Sequence, residues 1–151
     1  MMIKHNLLNK DYLYMSIDFG IKKIGFAIGQ LITKKATPLG IIYNHKENIN
    51  WADIDNLIKK WKPNIIIIGY PSANKKNKFI ENLDAFITEF SSKYDGLLKV
   101  DIFSEVLSTE ESKEIYREMR KSQYKISKKD DLDDYSASII LQSWFNENMI
   151  N

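Results

Sequence analysis

The 151-residue sequence contains no cysteine. This absence excludes disulfide bonds, thiolate metal sites and a cysteine nucleophile, and it is compatible with a reducing compartment. Histidine is also scarce, because only His5 and His45 are present, so histidine-centred catalysis has no support. No apolar run approaches the roughly 20 residues of a membrane span, and the first residues lack a signal-peptide layout. We therefore expect a cytoplasmic protein without membrane contact.

The sequence also has little net charge, since 22 basic residues face 20 acidic ones and leave a formal charge of +2. Such a balance gives no basic field over the whole surface, so any contact with nucleic acid must come from local lysine clusters. The hydrophobic share of 44% is ordinary for one globular domain with a buried core. We expect residues 1–10 to form a loosely ordered lead and residues 11–148 to form a single domain.

Glycine is rare, but two of the six glycines lie in one stretch, Asp18-Phe19-Gly20-Ile21-Lys22-Lys23-Ile24-Gly25. An apolar run ends at Asp18 and another begins after the turn, which is typical of a β-hairpin with an acid at its mouth. Gly20 would let the backbone turn or approach a ligand closely. Lys22 and Lys23 place positive charge beside the acid, as a phosphate site would. The alternative is a surface hairpin whose aspartate only caps a turn.

The remaining pattern predicts an antiparallel meander followed by βα units. Strands are predicted near 12–18, 24–29 and 37–43, then a helix with the apolar stripe Trp51, Ile54, Leu57, Ile58 and Trp61. Four isoleucines from Ile65 indicate a strand buried on both faces, which Gly69 and Pro71 should end abruptly. A helix near 79–94, a strand near 98–103 and helices near 108–120 and 130–148 follow. This order indicates an α/β fold, with a mixed five-stranded sheet and helices on both faces.

Three acids are predicted to meet at one rim of this sheet. Asp18 ends the first strand, and Glu105 lies just past the end of the last, although it could be only a solvated loop residue. The final helix starts in the acidic run 130–134, where acids also complement the helix dipole. Asp133 shares its stripe with the apolar residues Ala137, Ile140, Leu141 and Trp144, whereas Asp134 leans toward a mixed face. Asp133 is therefore the first choice in this run and Asp134 the second.

Three carboxylates at one rim would form an oxygen-rich site for Mg²⁺ or Mn²⁺, and such ions can support phosphodiester cleavage. The polar loop after the isoleucine strand carries Lys75, Lys76 and Lys78 at the sheet end where ligands of α/β proteins gather. We expect these lysines, together with Lys22 and Lys23, to contact phosphates. For the loop, a solvated lysine run is the alternative.

Four motifs in this order resemble those of the YqgF/RuvX family of Holliday-junction-resolvase-like proteins, also described as pre-16S ribosomal RNA nucleases. The segment 18–25 looks like the family's D-x-G-x-K-R-I-G, and Gly69-Tyr70-Pro71 looks like its G-x-P. The segment 104–109, Ser-Glu-Val-Leu-Ser-Thr, looks like a degraded D-E-R-L-T-T. The segment 132–142 looks like V-D-x-x-A-A-x-x-I-L-Q.

The resemblance implies an RNase H-like fold and three metal-binding, catalytic acids that map onto Asp18, Glu105 and Asp133. It also implies a Mg²⁺-dependent endonuclease for structured nucleic acid, most of all the 5′ end of the pre-16S rRNA. A DNA Holliday junction resolvase is the alternative enzyme, and a stable two-fold dimer would favour it over a monomer. A non-catalytic nucleic-acid-binding module of the same fold is the other alternative.

The sequence departs from the family pattern near the acids. Val106 stands where the family has arginine, and Ser104 stands where it has aspartate. Lys23 replaces another arginine, which keeps the charge but loses the bidentate fork of the guanidinium. The three acids are retained, while a group that could orient a phosphate is missing at position 106.

Overall fold

Five strands and three helices form in the computed structural model, which describes residues 7–46, 48–71, 77–105 and 131–148, with the backbone alone at 105 and 131–134. The strands are β1 (Leu13–Asp18), β2 (Lys23–Gln30), β3 (Lys35–Tyr43), β4 (Ile65–Pro71) and β5 (Lys99–Glu105). The helices are α1 (Trp51–Trp61), α2 (Lys78–Lys93) and α3 (Asp131–Asn148). All eight lie close to their predicted positions. The helix predicted near 108–120 lies outside the described residues.

The strands form one mixed sheet in the order β3-β2-β1-β4-β5. β1 pairs with β2, and β2 with β3, in antiparallel fashion, whereas β1–β4 and β4–β5 are parallel. Short turns can join antiparallel neighbours, while parallel neighbours need a longer crossover, which α1 and α2 supply. The predicted meander followed by βα units is confirmed.

Both faces of the sheet are buried under helices. On one face, apolar side chains of β1 and β4 pack with those of α1 and α2. The strands contribute Met15, Ile17, Ile66 and Ile68, and the helices contribute Ile54, Leu83, Phe86 and Phe90. On the other face, Tyr14, Ile65, Ile67 and Phe103 pack with Ile140, Leu141, Trp144 and Phe145 of α3. The unbroken run of isoleucines follows from this arrangement, because successive strand residues point to opposite faces and both faces are apolar.

Helix α1 begins and ends as its sequence predicts. The side chain of Asn50 accepts a hydrogen bond from the Asp53 N–H at 3.1 Å and so caps the first turn. Lys62 adopts a left-handed conformation with φ of 50° after the last turn, and Pro63 follows it. Proline cannot donate a backbone hydrogen bond, so the helix stops here.

The end of β4 differs from the prediction that Gly69 and Pro71 break the strand abruptly. The strand continues through Pro71, whose register partner in β5 is Glu105. The pairing between β1 and β4 extends only as far as Ile17 and Ile68. The terminal part of β4 therefore has a neighbour on one side only, and proline is tolerated where no partner needs its N–H.

Helix α3 runs antiparallel to β1 across its face of the sheet. The buried Ser16 Oγ donates a hydrogen bond of 2.6 Å to the Ala137 carbonyl oxygen. Eight residues later, the Phe145 ring lies edge-on to the Tyr14 ring, with 5.5 Å between centroids. Later residues of α3 therefore lie over earlier residues of β1, so the helix begins at the edge where β1 ends.

Helix α3 is buried on more sides than the predicted stripe of Asp133 requires. Ala137, Ile140, Leu141 and Trp144 are buried as expected, but Tyr135, Ser138, Ile139 and Phe145 are buried as well. The predicted mixed face is also engaged, since Gln142 accepts from Ala36 N at 3.2 Å and donates to the Lys34 carbonyl at 2.9 Å. A helix that is apolar nearly all round is a buried helix. Its phase alone therefore does not separate Asp133 from Asp134.

The contact between α3 and β2 is close because position 29 is glycine. A Cβ atom at Gly29 would lie 2.6 Å from the Lys35 carbonyl oxygen and 2.8 Å from Cε2 of Phe145. The aromatic ring thus occupies the space that any larger residue at position 29 would need.

The described end of the predicted lead also packs on the domain. Leu7 is buried among the residues beneath α3, and the Tyr14 hydroxyl donates a hydrogen bond to its carbonyl oxygen. Domain contacts thus begin ahead of the predicted boundary at residue 11. Among the described helices, none combines the length and the apolar character that crossing a membrane would demand.

We expect Ser16→Ala to lower the free energy of unfolding by about 1 kcal/mol, because it removes the buried hydrogen bond that ties α3 to β1. Urea denaturation followed by circular dichroism measures this change. Ser104→Ala is the matched control, since Ser104 is exposed in β5, and it should alter stability by less than about 0.5 kcal/mol. Equal effects of the two substitutions would contradict the anchoring role of Ser16.

Candidate metal and nucleic-acid site

Asp18 is the last residue of β1 and is half-buried. Its register partner in β2 is Gly25. Residues two apart in a strand share a face, so Asp18 lies on the same face as Ser16, which contacts α3. The carboxylate therefore belongs to the face that α3 covers, at the edge where that helix begins.

Glu105 is the last residue of β5 and not, as predicted, a residue just beyond it. The additional pairing between β4 and β5 includes Pro71 opposite Glu105. Position 105 is two residues after Phe103, which packs beneath α3, and it thus shares that face of the sheet. From Asp18 it is two strands away in the sheet order, or about 10 Å across and about 7 Å further along.

The start of α3 approaches the same edge. Position 133 lies one turn before Ala137, so the helix backbone has moved about 6 Å beyond the Ser16 contact. Asp18 lies about 7 Å beyond Ser16 in the same direction. The backbone thus directs positions 18, 105 and 133 toward the same edge of the sheet, and that they form a three-carboxylate set stays a prediction.

The side chains of Glu105 and Asp133 are outside the described part of the structure, and Asp18 is the described member of the predicted set. Among the side chains that are described, no three histidine, aspartate or glutamate residues form a group that could hold a metal ion. The donor chemistry of the predicted set suits Mg²⁺ or Mn²⁺, because each position offers carboxylate oxygens and the chain contains no thiolate.

The turn after Asp18 is tightly folded around Gly20. A Cβ atom at this position would lie 2.5 Å from the carbonyl oxygen of Lys23, which is closer than real contacts allow. Glycine is therefore required for the close approach of backbone within the turn. The prediction that Gly20 lets the backbone turn is confirmed, because the atoms that a Cβ would meet are backbone atoms of Lys23 at the end of the same turn.

Asn44 fixes this turn from the side, and sequence reasoning did not identify it. Its Nδ2 donates to the carbonyl oxygens of Ile21 at 3.0 Å and Gly20 at 3.4 Å, while its backbone N–H donates to the Lys22 carbonyl at 2.8 Å. Its Oδ1 accepts from the Asn50 N–H at 3.2 Å, at the start of α1. A lone asparagine after a strand carries no periodic signal, so these contacts become visible only in three dimensions.

Three of the five predicted phosphate-binding lysines are described. Lys22 is exposed in the turn, Lys23 is half-buried at the start of β2, and Lys78 is exposed at the start of α2. Phe79 lies next to Lys78, and its ring is 6.0 Å from that of Phe19, which places the start of α2 near the turn. Lys75 and Lys76 lie outside the described residues.

The end of β4 is attached to α2 through Tyr70, the middle residue of the Gly69-Tyr70-Pro71 motif. The Tyr70 hydroxyl donates a 2.8 Å hydrogen bond to Oδ1 of Asp84. This bond to a carboxylate raises the pKa of Tyr70 above its ordinary value, so the phenol stays protonated at neutral pH. The bond holds the strand end that precedes the segment with Lys75 and Lys76 in the sequence.

Comparison with known proteins agrees with the predicted family. The family model RuvX, described as Holliday junction resolvase, matches residues 12–147. A protein of Buchnera aphidicola named "Putative pre-16S rRNA nuclease" is 37% identical over 141 residues, which cover 89% of this chain and 98% of that protein. A Francisella tularensis protein with the same name is 35% identical over 136 residues, covering 89% and 96%.

Two solved structures resemble the fold at low sequence identity. RuvC of T. thermophilus in complex with a Holliday junction substrate has a TM-score of 0.62 at 14% identity, covering 91% of this chain and 96% of that one. The fowlpox virus Holliday junction resolvase has a TM-score of 0.55 at 16% identity, covering 89% and 99%. These similarities show the fold, which is the RNase H-like fold of RuvC-type resolvases, as predicted. The match over residues 12–147 and the two relatives establish that the chain belongs to the RuvX family.

Proposed function

We propose that this chain is a divalent-metal-dependent endonuclease that acts on structured nucleic acid in the cytoplasm, with the 5′ end of pre-16S rRNA as its favoured substrate. The observation that supports the proposal is the register of β1 and β5 together with the course of α3, which direct backbone positions 18, 105 and 133 toward one edge of the sheet. The names of the Buchnera and Francisella relatives support the ribosomal RNA precursor as substrate.

In this proposal Asp18, Glu105 and Asp133 are the metal ligands and catalytic acids. Carboxylate oxygens are the ligands that Mg²⁺ and Mn²⁺ prefer. Divalent ions bound there would activate water and stabilise the leaving oxygen of a phosphodiester. The chain's own contribution is to hold the carboxylates on rigid elements, since β1, β5 and α3 all belong to the buried core.

The lysines supply the contacts to the phosphate backbone. Lys22 and Lys23 follow Asp18 in a turn that Asn44 holds in place, and Lys78 begins α2 nearby. Lys75 and Lys76 lie between β4 and α2 in the sequence. Lysine binds phosphate as a point charge, which positions a strand without reading its sequence.

A Holliday junction resolvase is the second candidate, because the RuvX family itself carries that description. A junction offers two strands for symmetrical cleavage, so this function requires two copies of the site in a two-fold dimer. The rRNA reaction needs one site and is compatible with a monomer. A non-catalytic binding module is the third candidate, which Ser104 and Val106 favour because they replace the polar family residues beside Glu105.

We expect Asp18→Asn to lower the affinity for Mn²⁺ at least about tenfold, because one anionic oxygen ligand is lost. Isothermal titration calorimetry measures this change without a substrate. Asp11→Asn is the matched control, since Asp11 is exposed before β1, at the opposite end of that strand. Unchanged affinity in Asp18→Asn would show that the metal site is elsewhere.

We expect Asp133→Asn to abolish cleavage while leaving the fold intact, because asparagine keeps the shape but loses the charge that a metal requires. Asp130→Asn and Asp131→Asn should change stability by at most about 1 kcal/mol and retain turnover. The assay compares cleavage of an RNA carrying the pre-16S 5′ end and of a four-way DNA junction, each with and without Mg²⁺.

Asp134→Asn completes this series. It is needed because the residues that follow Asp133 on its side of α3 and those that follow Asp134 on its side are both buried, so burial does not decide between the two acids. Loss of activity in Asp134→Asn together with full activity in Asp133→Asn would show that Asp134, and not Asp133, is the metal ligand and catalytic acid. Cleavage of the junction alone would favour the resolvase. Binding without cleavage of either substrate would favour the non-catalytic module.

We expect Lys22→Ala and Lys23→Ala each to flatten the log–log salt dependence of nucleic-acid binding by roughly one unit, because each removes one phosphate contact. The combined Lys75, Lys76 and Lys78 alanine variant should flatten it further. Lys99→Ala is the control, since Lys99 is exposed at the start of β5 and thus at the opposite edge. If the triple variant has the same log–log slope as the parent, Lys75, Lys76 and Lys78 do not contact the phosphates.

A further inference from the structure

Tyr43 is an exposed aromatic residue at the candidate site. It ends β3, and 63% of it is accessible to solvent. The other large hydrophobic residues that are exposed in the described part of the chain are aliphatic, namely Ile32, Leu97 and Ile102. An exposed tyrosine ring differs from them because it offers a flat face to another planar group as well as apolar area.

The sheet register places Tyr43 on the face and at the edge that carry Asp18. Asp18 pairs with Gly25, and Gly25 pairs with Ile41 in β3. Cross-strand partners share a face, and Tyr43 lies two residues beyond Ile41, toward the same edge as the turn. The two backbones are about 10 Å apart across the sheet and about 7 Å apart along it. This separation is within the span of a few stacked nucleotides.

The backbone that carries Tyr43 is held on both sides. Tyr43 pairs with Lys23 in the ladder between β2 and β3. Asn50 Nδ2 donates to the Tyr43 carbonyl oxygen at 3.3 Å, and the following residue, Asn44, is bonded to Lys22 and Ile21 in the turn. Because this backbone is already ordered, a ligand that binds here has only the side chain left to order.

Cationic side chains accompany the ring. Its register partner is Lys23, and the exposed Lys22 precedes that residue in the turn. Proteins that bind single-stranded nucleic acid combine aromatic rings with cationic side chains. The bases stack on the rings, and the ammonium groups contact the phosphates. A duplex offers its phosphates but keeps its bases stacked within the helix.

We propose that Tyr43 is a base-stacking position for a single-stranded nucleic-acid segment that extends from the Asp18 edge across β2 to the end of β3. The proposal rests on the proposed nuclease function and adds the substrate class, which is a structured nucleic acid with an unpaired segment beside the cleavage site. The ring acts on affinity and on the path of the strand, and it takes no part in the reaction at the phosphorus.

The test is binding of a fluorescent single-stranded RNA of about ten nucleotides at several salt concentrations, with EDTA present so that no cleavage occurs. Tyr43→Ala should weaken binding roughly tenfold at every salt concentration without changing the log–log slope, because stacking releases no counterions. Lys22→Ala should change the slope. Tyr43→Phe should bind within about twofold of the parent, because the ring is retained.

Leu97→Ala is the matched control, since Leu97 is 75% exposed and lies just before β5, at the opposite edge of the sheet. It should leave binding unchanged. The proposal is overturned if Tyr43→Ala binds like the parent, if Tyr43→Phe loses as much as Tyr43→Ala, or if the parent does not bind the single strand. An equal loss on a blunt RNA duplex would overturn the single-strand assignment.

A second measurement reports stacking directly and separates this proposal from the proposed function. A 2-aminopurine base in the same RNA should be quenched by the parent and by Tyr43→Phe, and less by Tyr43→Ala, whereas equal quenching by all three would overturn the proposal. Both measurements omit metal and turnover. A parent that stacks the strand but cleaves nothing would refute the nuclease function and retain this inference.

Discussion

The hydrogen bond from Ser16 Oγ to the Ala137 carbonyl is the contact on which the geometry of the candidate site depends. It is buried, so it resists competition from water, and it fixes which part of α3 lies over β1. The antiparallel course of α3 then brings its acidic start to the edge where β1 and β5 end. A helix placed one turn differently would carry position 133 away from Asp18, although the same sheet and the same apolar faces would remain.

The sequence was most informative where one periodicity determines an element. The isoleucine run predicted a strand buried on both faces, and the stripe from Trp51 to Trp61 predicted α1, because burial imposes those patterns directly. The prediction that β4 ends abruptly at Gly69 and Pro71 was wrong. Whether the strand tolerates Pro71 depends on where the neighbouring strand β1 stops, and the sequence of β4 does not contain that information. The contacts of Asn44 were not predicted for a related reason, since they depend on how β3 meets the turn.

For the candidate site, the structure describes the backbone of the three predicted acids and the side chain of Asp18. The sequence predicted Asp18 at the end of the first strand and Glu105 just past the end of the last, and the register puts both positions on one face of the sheet. The choice between Asp133 and Asp134 depended on one apolar stripe, and the nearly complete burial of α3 weakens that argument. The choice of Asp133 therefore rests on the likeness of the segment 132–142 to the family motif. The position of a residue around the helix is a weak guide here, because a helix that is buried on most sides has few positions that face solvent.

The close contact between Gly29 and Phe145 has a consequence for how this sequence can vary. The ring occupies the volume that a side chain at position 29 would need, so the two positions share one fixed space between β2 and α3. A smaller residue at position 145 would remove only part of the obstacle, because the backbone carbonyl oxygen of Lys35 lies still nearer to the Cβ position, at 2.6 Å. Position 29 should therefore remain glycine in evolution even where position 145 varies, because no exchange of side chains removes a backbone atom.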